Sequence, residues 1–189
     1  MTTTPATPGR LRSGLTVLNT HGHKLSLQVF LFIVVAHWAE HVVQAIQIWA
    51  LGWPVPKARG LLGEPFPWLV KSEALHYGYA VIMLIALLAL RAGFTGRART
   101  WWNIALVIQI WHHFEHLLLL IQAQSGWHLA GRPVPTSILQ IFFPRVELHL
   151  FYNTVVTIPM VIAMIMHRRP AAPAPGRRAA ACTCAYASA

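Results

Sequence analysis

Four stretches of this chain, approximately 26–50, 68–90, 101–123 and 138–167, are almost continuously apolar, and that property excludes most folds. Each exceeds the roughly 20 residues that carry an α-helix, rising about 1.5 Å per residue, through about 30 Å of hydrocarbon. A backbone in hydrocarbon must satisfy its own N–H and C=O groups, so each stretch predicts a helix. The expected fold is all-α, an integral membrane four-helix bundle. With 56% hydrophobic and only 11% charged residues, the chain has the composition of a multi-pass membrane protein.

A formal net charge of +10 raises the question of nucleic acid, but the basic residues sit at segment ends and in the tails, so no nucleic-acid partner is expected. They report topology instead. Arg10, Arg12, Lys24, Arg91, Arg97, Arg99, Arg168, Arg169, Arg177 and Arg178 fall on one side, and Lys57, Arg59, Lys71, Arg132 and Arg145 on the other. Ten against five, by the positive-inside rule, puts both termini in the cytoplasm and the protein in the cell membrane. Trp49, Trp53, Trp68 and Trp127 then mark the outer interface and Trp101 and Trp102 the inner one, while Trp38 and Trp111 lie deeper as packing groups or hydrogen-bond donors.

Residues 1–24 form a cytoplasmic segment rich in Thr, Pro and Gly, 25–169 the transmembrane domain, and 170–189 an Ala, Pro and Arg tail expected to be disordered. The first apolar stretch is too long for the h-region of a cleaved signal peptide and is expected to remain as a helix. Cys182 and Cys184, the only cysteines, lie in the tail, so no disulfide framework is implied.

The transmembrane domain reads as two repeated two-helix hairpins, about 26–90 and 101–167. Residues 37–47 align with 112–122 at an offset of 75, with five of eleven positions identical, including His37 with His112, Glu40 with Glu115, His41 with His116 and Gln47 with Gln122. Glu73 follows against Glu147 at 74, then His76 and Tyr79 against His149 and Tyr152 at 73. A repeat with an even number of crossings keeps its orientation, which predicts a pseudo-twofold axis along the membrane normal.

Four of the five carboxylates, Glu40, Glu73, Glu115 and Glu147, lie in or beside these stretches, each within three residues of a histidine. An uncompensated charge at the centre of a spanning helix costs roughly 2.5 to 3.5 kcal/mol, so something must compensate them. On a helix His37, Glu40 and His41 share an arc of about 100°, extended by Gln44. His112, Glu115 and His116 repeat it with Gln109, and His113 lies further round as a weaker candidate. Glu73 and His76 are about 60° apart. Glu147 and His149 point about 200° apart, so both face one site only if Pro144 distorts the helix; otherwise Glu147 pairs with Arg145 or Arg132. Glu64, His128, His21 and His23 read as solvated.

The expected metal ligands are therefore His37, Glu40, His41, Glu73, His76, His112, Glu115, His116, Glu147 and His149, with Glu40 and Glu115 also as catalytic groups and Gln44 or Tyr152 behind them. The Glu-x-x-His spacing resembles that of ferritin-like di-iron carboxylate bundles in ligand type and spacing alone. His-x-x-Glu-His is also the inverted zinc-protease signature, here in a different setting and present twice. Carboxylates balance the charge of two divalent ions, which favours a dinuclear centre, with iron ahead of zinc, manganese or copper. The leading expectation is a membrane non-haem di-iron oxidase or hydroxylase acting on a lipophilic substrate from the lipid bilayer, with room for a partner subunit or electron donor. The alternatives are a haem b electron-transfer protein, a zinc-dependent membrane hydrolase, and a metal or proton carrier. A packing network of His and Glu without metal is the bland counterpart to all of these.

Overall fold

The computed structural model describes residues 10–168, with side chains from residue 14 onwards; the segment 1–9, Arg169 and the tail with Arg177, Arg178, Cys182 and Cys184 lie outside the described residues. Among the described residues the protein is all-helical, without strands: α1 (Arg10–Asn19), α2 (His23–Trp49), α3 (Gly60–Gly63), α4 (Pro67–Lys71), α5 (Glu73–Leu90), α6 (Gly96–Ser125) and α7 (Arg145–Arg168). Four of them, α2, α5 with its following turn, α6 and α7, are long and apolar enough to cross a membrane. Their sequence-predicted bounds shift most at the 50–72 and 126–144 connections. Residues 68–71 belong to the separate short α4, and α7 starts at Arg145 rather than near 138. Pro144 stands just ahead of that start, where a missing N–H costs little, so it begins the helix instead of bending it.

Local chemistry sets the other ends. The Ser72 hydroxyl accepts from Leu75 N at 3.3 Å at the start of α5, where Glu73 also faces the positive end of the helix dipole. Gly126, at φ 70°, ends α6 in the left-handed conformation, its amide reaching Gln122 O at 3.0 Å.

The four long helices form a ring. α6 packs against α5 and α7, and α2 closes the ring against α7 and α5, which leaves α2 opposite α6. In each apolar window only 22 to 44% of residues are buried inside the bundle, and Phe32, Val107 and Ile85 point outwards. So much outward apolar surface is what a lipid-facing bundle needs and a soluble one cannot carry.

The interior divides along its length. Toward the end that carries the 91–95 turn it is apolar: Leu27, Phe30, Val34, Met83, Leu87, Trp102 and Met160 fill it. Trp102, expected at the interface, is instead fully buried there, stacked 4.2 Å from Phe94 and donating its indole N–H to Leu87 O at 2.8 Å. His23, read as solvated, is also fully buried. Its Nδ1–H donates to Leu18 O at 3.0 Å, and its ring occupies the space that a Cβ on residue 93 would fill, so Gly93 makes the site. α1, unexpected in a Thr, Pro and Gly rich segment, is tied down by Asn19, which donates to Ala89 O at 2.7 Å and accepts from Gly93 N at 2.6 Å.

Candidate metal centre

At the opposite end of the bundle, below the 50–72 and 126–144 connections, four helix faces bring six histidines into one layer. His37 and His41 come from α2, His76 from α5, His112 and His116 from α6, and His149 from α7. Four residues make about one turn, so each helix-borne pair lies on one face, its rings meeting edge to face. The two Nε2 atoms approach to 3.1 Å in His37 and His41 and 3.2 Å in His112 and His116. Between helices the His149 ring centroid lies 5.0 Å from His41, 5.4 Å from His116 and 6.0 Å from His112, and His76 lies 6.2 Å from both His116 and His149.

Three of these rings are held by their other nitrogen. His41 Nδ1 donates to Gln44 Oε1 at 2.8 Å, His76 Nδ1 to Ser72 O at 2.9 Å, and His149 Nδ1 to Arg145 O at 2.8 Å. A carbonyl oxygen only accepts, so in the neutral imidazole the proton sits on Nδ1 and Nε2 keeps a bare lone pair. His149 Nε2 is buried without a hydrogen-bond partner, as are His112 Nδ1 and His116 Nδ1. Buried polar atoms ordinarily find partners, so a cluster of unmatched ones in a single layer calls for an explanation.

Three of the four glutamates go elsewhere, and Glu115 stays beside the layer. Both carboxylate oxygens of Glu40 accept from the amides that open α3, Leu61 N at 2.7 Å and Leu62 N at 3.1 Å. Gly60, at φ 77°, is required there, because the carboxylate of Glu40 lies where a Cβ would stand. Glu115 Oε1 accepts from Leu139 N at 2.9 Å and from the Ser137 hydroxyl at 3.2 Å. One turn or two beyond, Gln47 exchanges hydrogen bonds with Gly60 N and O, and Gln122 with Thr136 N and O. Glu and Gln on the same helix thus clamp the 50–72 and 126–144 connections onto the bundle.

Glu73 forms a two-point ion pair with Arg145, at 2.6 and 2.8 Å. Arg145 is therefore the partner of Glu73 and not of Glu147. Glu147 is exposed in the first turn of α7 while His149 is buried, as a straight helix dictates for positions about 200° apart. The structure brings the six histidines together, turns Glu40, Glu73 and Glu147 toward amides, an arginine and the exterior, and keeps Glu115 at the border of the space beside His112, His116 and His149.

Aromatic rings back the layer on both sides. Tyr79 stacks on His37 at 3.7 Å and Tyr152 lies 4.1 Å from His112, its hydroxyl accepting from Trp111 Nε1 at 2.7 Å. The Tyr79 hydroxyl is buried without a partner. His113 turns aside to Tyr77, 5.2 Å away. Gln109 leaves the layer, donating to Ala80 O at 3.3 Å. A narrow gap adjoins His112, His116, His149 and Tyr152, bordered by Glu115, Ser137 and Gln140.

Among the described residues, no three His, Cys, Asp or Glu side chains converge into a ready-made metal-binding group; the close approaches are pairs. No protein-family model, curated protein or solved structure matches this chain.

Proposed function

We propose that this chain is a multi-pass membrane protein whose six-histidine layer holds two transition-metal ions and uses them to oxidise a lipophilic substrate arriving from the bilayer. The observation that carries the reading is the set of anchored rings. His41, His76 and His149 each spend Nδ1–H on a carbonyl oxygen, His149 keeps Nε2 buried without a partner, and His41 Nε2 lies 3.1 Å from His37 Nε2. Metal-ligating histidines are held in this way, and a packing network would match a buried lone pair such as that of His149 with a donor. Each i, i+4 pair also suits a chelate. Nitrogens 3.1 to 3.2 Å apart would subtend roughly 100° at an ion about 2.0 to 2.1 Å from both, between octahedral and tetrahedral angles.

Two hairpin repeats related by a twofold axis account for the shared placements. The pairs His37 with His41 and His112 with His116, the clamps Glu40 with Gln47 and Glu115 with Gln122, and the rings Tyr79 and Tyr152 each occur once per repeat. Both termini are cytoplasmic in this reading, and the histidine layer lies in the outer half of the membrane.

Redox chemistry fits better than the alternatives. The layer is filled by rings, and the space beside it holds about one water at most, so no ready-made porphyrin pocket adjoins it. Hydrolysis needs a carboxylate base beside metal-bound water. Both Glu40 oxygens accept from loop amides, which leaves Glu115, at the edge of the gap, as the one observation favouring a hydrolase.

The test is oxygen uptake by the full chain, purified in detergent and loaded with metal, with a long-chain quinol as reductant. Uptake by the wild type that disappears in both His41→Ala and His116→Ala supports the reading. Uptake unchanged in both variants contradicts it.

A further inference from the structure

We infer that the layer is an imidazole-only centre built for a pair of copper ions, with the ligands of each ion drawn from both halves of the chain. The inference rests on the metal reading above and adds the identity of the metal and the division of the ligands.

His37 and His41 chelate one ion and His112 and His116 the other. His149 lies between the pairs, 5.0 Å from His41 and 5.4 Å from His116, and goes to the first, its nearest neighbour. His76, 6.2 Å from His116 and on a helix beside α6, then completes the second. Each ion thus takes a pair from one hairpin and a single histidine from the other.

The metal follows from the donors. Imidazole suits copper, zinc, iron and nickel, whereas carboxylate draws the choice toward harder ions. Glu40, Glu73 and Glu147 face loop amides, Arg145 and the exterior. Glu115 borders the space beside His112, His116 and His149 but is held through Oε1 by Leu139 N and Ser137. Six neutral imidazoles leave the full ionic charge uncompensated in a low-dielectric interior, where that charge is costly. Two cuprous ions bring half the charge of two ferrous or zinc ions, and in the divalent state copper also leads the affinity order for nitrogen ligands.

The experiment strips the full chain with a chelator, reloads it in parallel with copper, ferrous iron and zinc, desalts it, and measures metal per chain alongside circular dichroism. About two coppers retained in preference to iron or zinc are expected, unchanged in Glu40→Gln and Glu115→Gln and falling to about one in His149→Ala. Because the glutamate variants can lose their loops, X-ray absorption of the wild type gives a second reading that needs no variant. A copper shell of imidazole nitrogen alone supports the inference. Iron preferred over copper, or carboxylate oxygen in the shell, overturns it while leaving the metal reading intact. A folded protein that retains none of the three metals removes the metal reading itself.

Discussion

The two ends of this bundle use the same four helices for opposite purposes. At the end near the 91–95 turn, Trp102, Phe94, Leu87 and Met160 are fully buried and close-packed, and the Trp102 indole satisfies its one donor on Leu87 O. At the other end, buried positions carry His41, Gln44, His116 and His149, with several polar atoms unmatched. An apolar interior stabilises by packing and tolerates little change of volume. A polar one stabilises only where every group is paired. The contrast teaches that one end holds the fold by packing, while the other, where the metal is proposed, is held by the Glu and Gln clamps on its connections.

Breaking the packed end should have the largest effect on folding. Trp102→Ala removes a fully buried ring and is expected to cost about 3 to 5 kcal/mol. Thermal unfolding in detergent should show the loss, while metal per folded chain stays at the wild-type level. The next effect belongs to the ion pair. Glu73→Ala leaves Arg145 unpaired beside the backbone oxygen that orients His149. A loss of about 1 to 3 kcal/mol is expected, with weaker metal retention, and Glu73→Gln should recover part of both.

Two smaller effects sharpen the contrast. Gly60→Ala sets a Cβ against the Glu40 carboxylate at a left-handed position, for an expected cost of about 1 to 3 kcal/mol. Faster proteolysis within residues 50–72 would register the loosened loop. Gln44→Leu removes the acceptor that fixes His41. Stability should change by less than about 1 kcal/mol, but metal affinity should fall about 10-fold or more, the usual consequence of losing such a partner. Equal affinities in Gln44→Leu and wild type would mean that His41 does not depend on its orientation.

Much of this was legible in the chain because the relevant signals are local. Apolar length determined the four long helices, and the i, i+4 spacing of His37 with His41 and His112 with His116 put each pair on one face. The fate of the glutamates was not legible. Glu40 is adjacent to His41 yet reaches amides 21 and 22 residues away, contacts that depend on how the 50–72 connection folds back. Glu73 finds Arg145 across 72 residues for the same reason. His23 looked like a surface residue because nothing local reveals that Gly93 will leave room for its ring. The helical phase of Glu147 against His149 did indicate that only one of them could face inwards, and once Pro144 proved to begin α7, that phase decided between them.

The most direct test of the central account is the metal content of the full chain purified in detergent without added metal, compared with His41→Ala and His116→Ala. The account predicts transition metal at about two ions per wild-type chain, reduced in both variants, with circular dichroism unchanged. A wild-type protein that is folded, metal-free and unable to take up metal would contradict it and return the histidine layer to a role in packing.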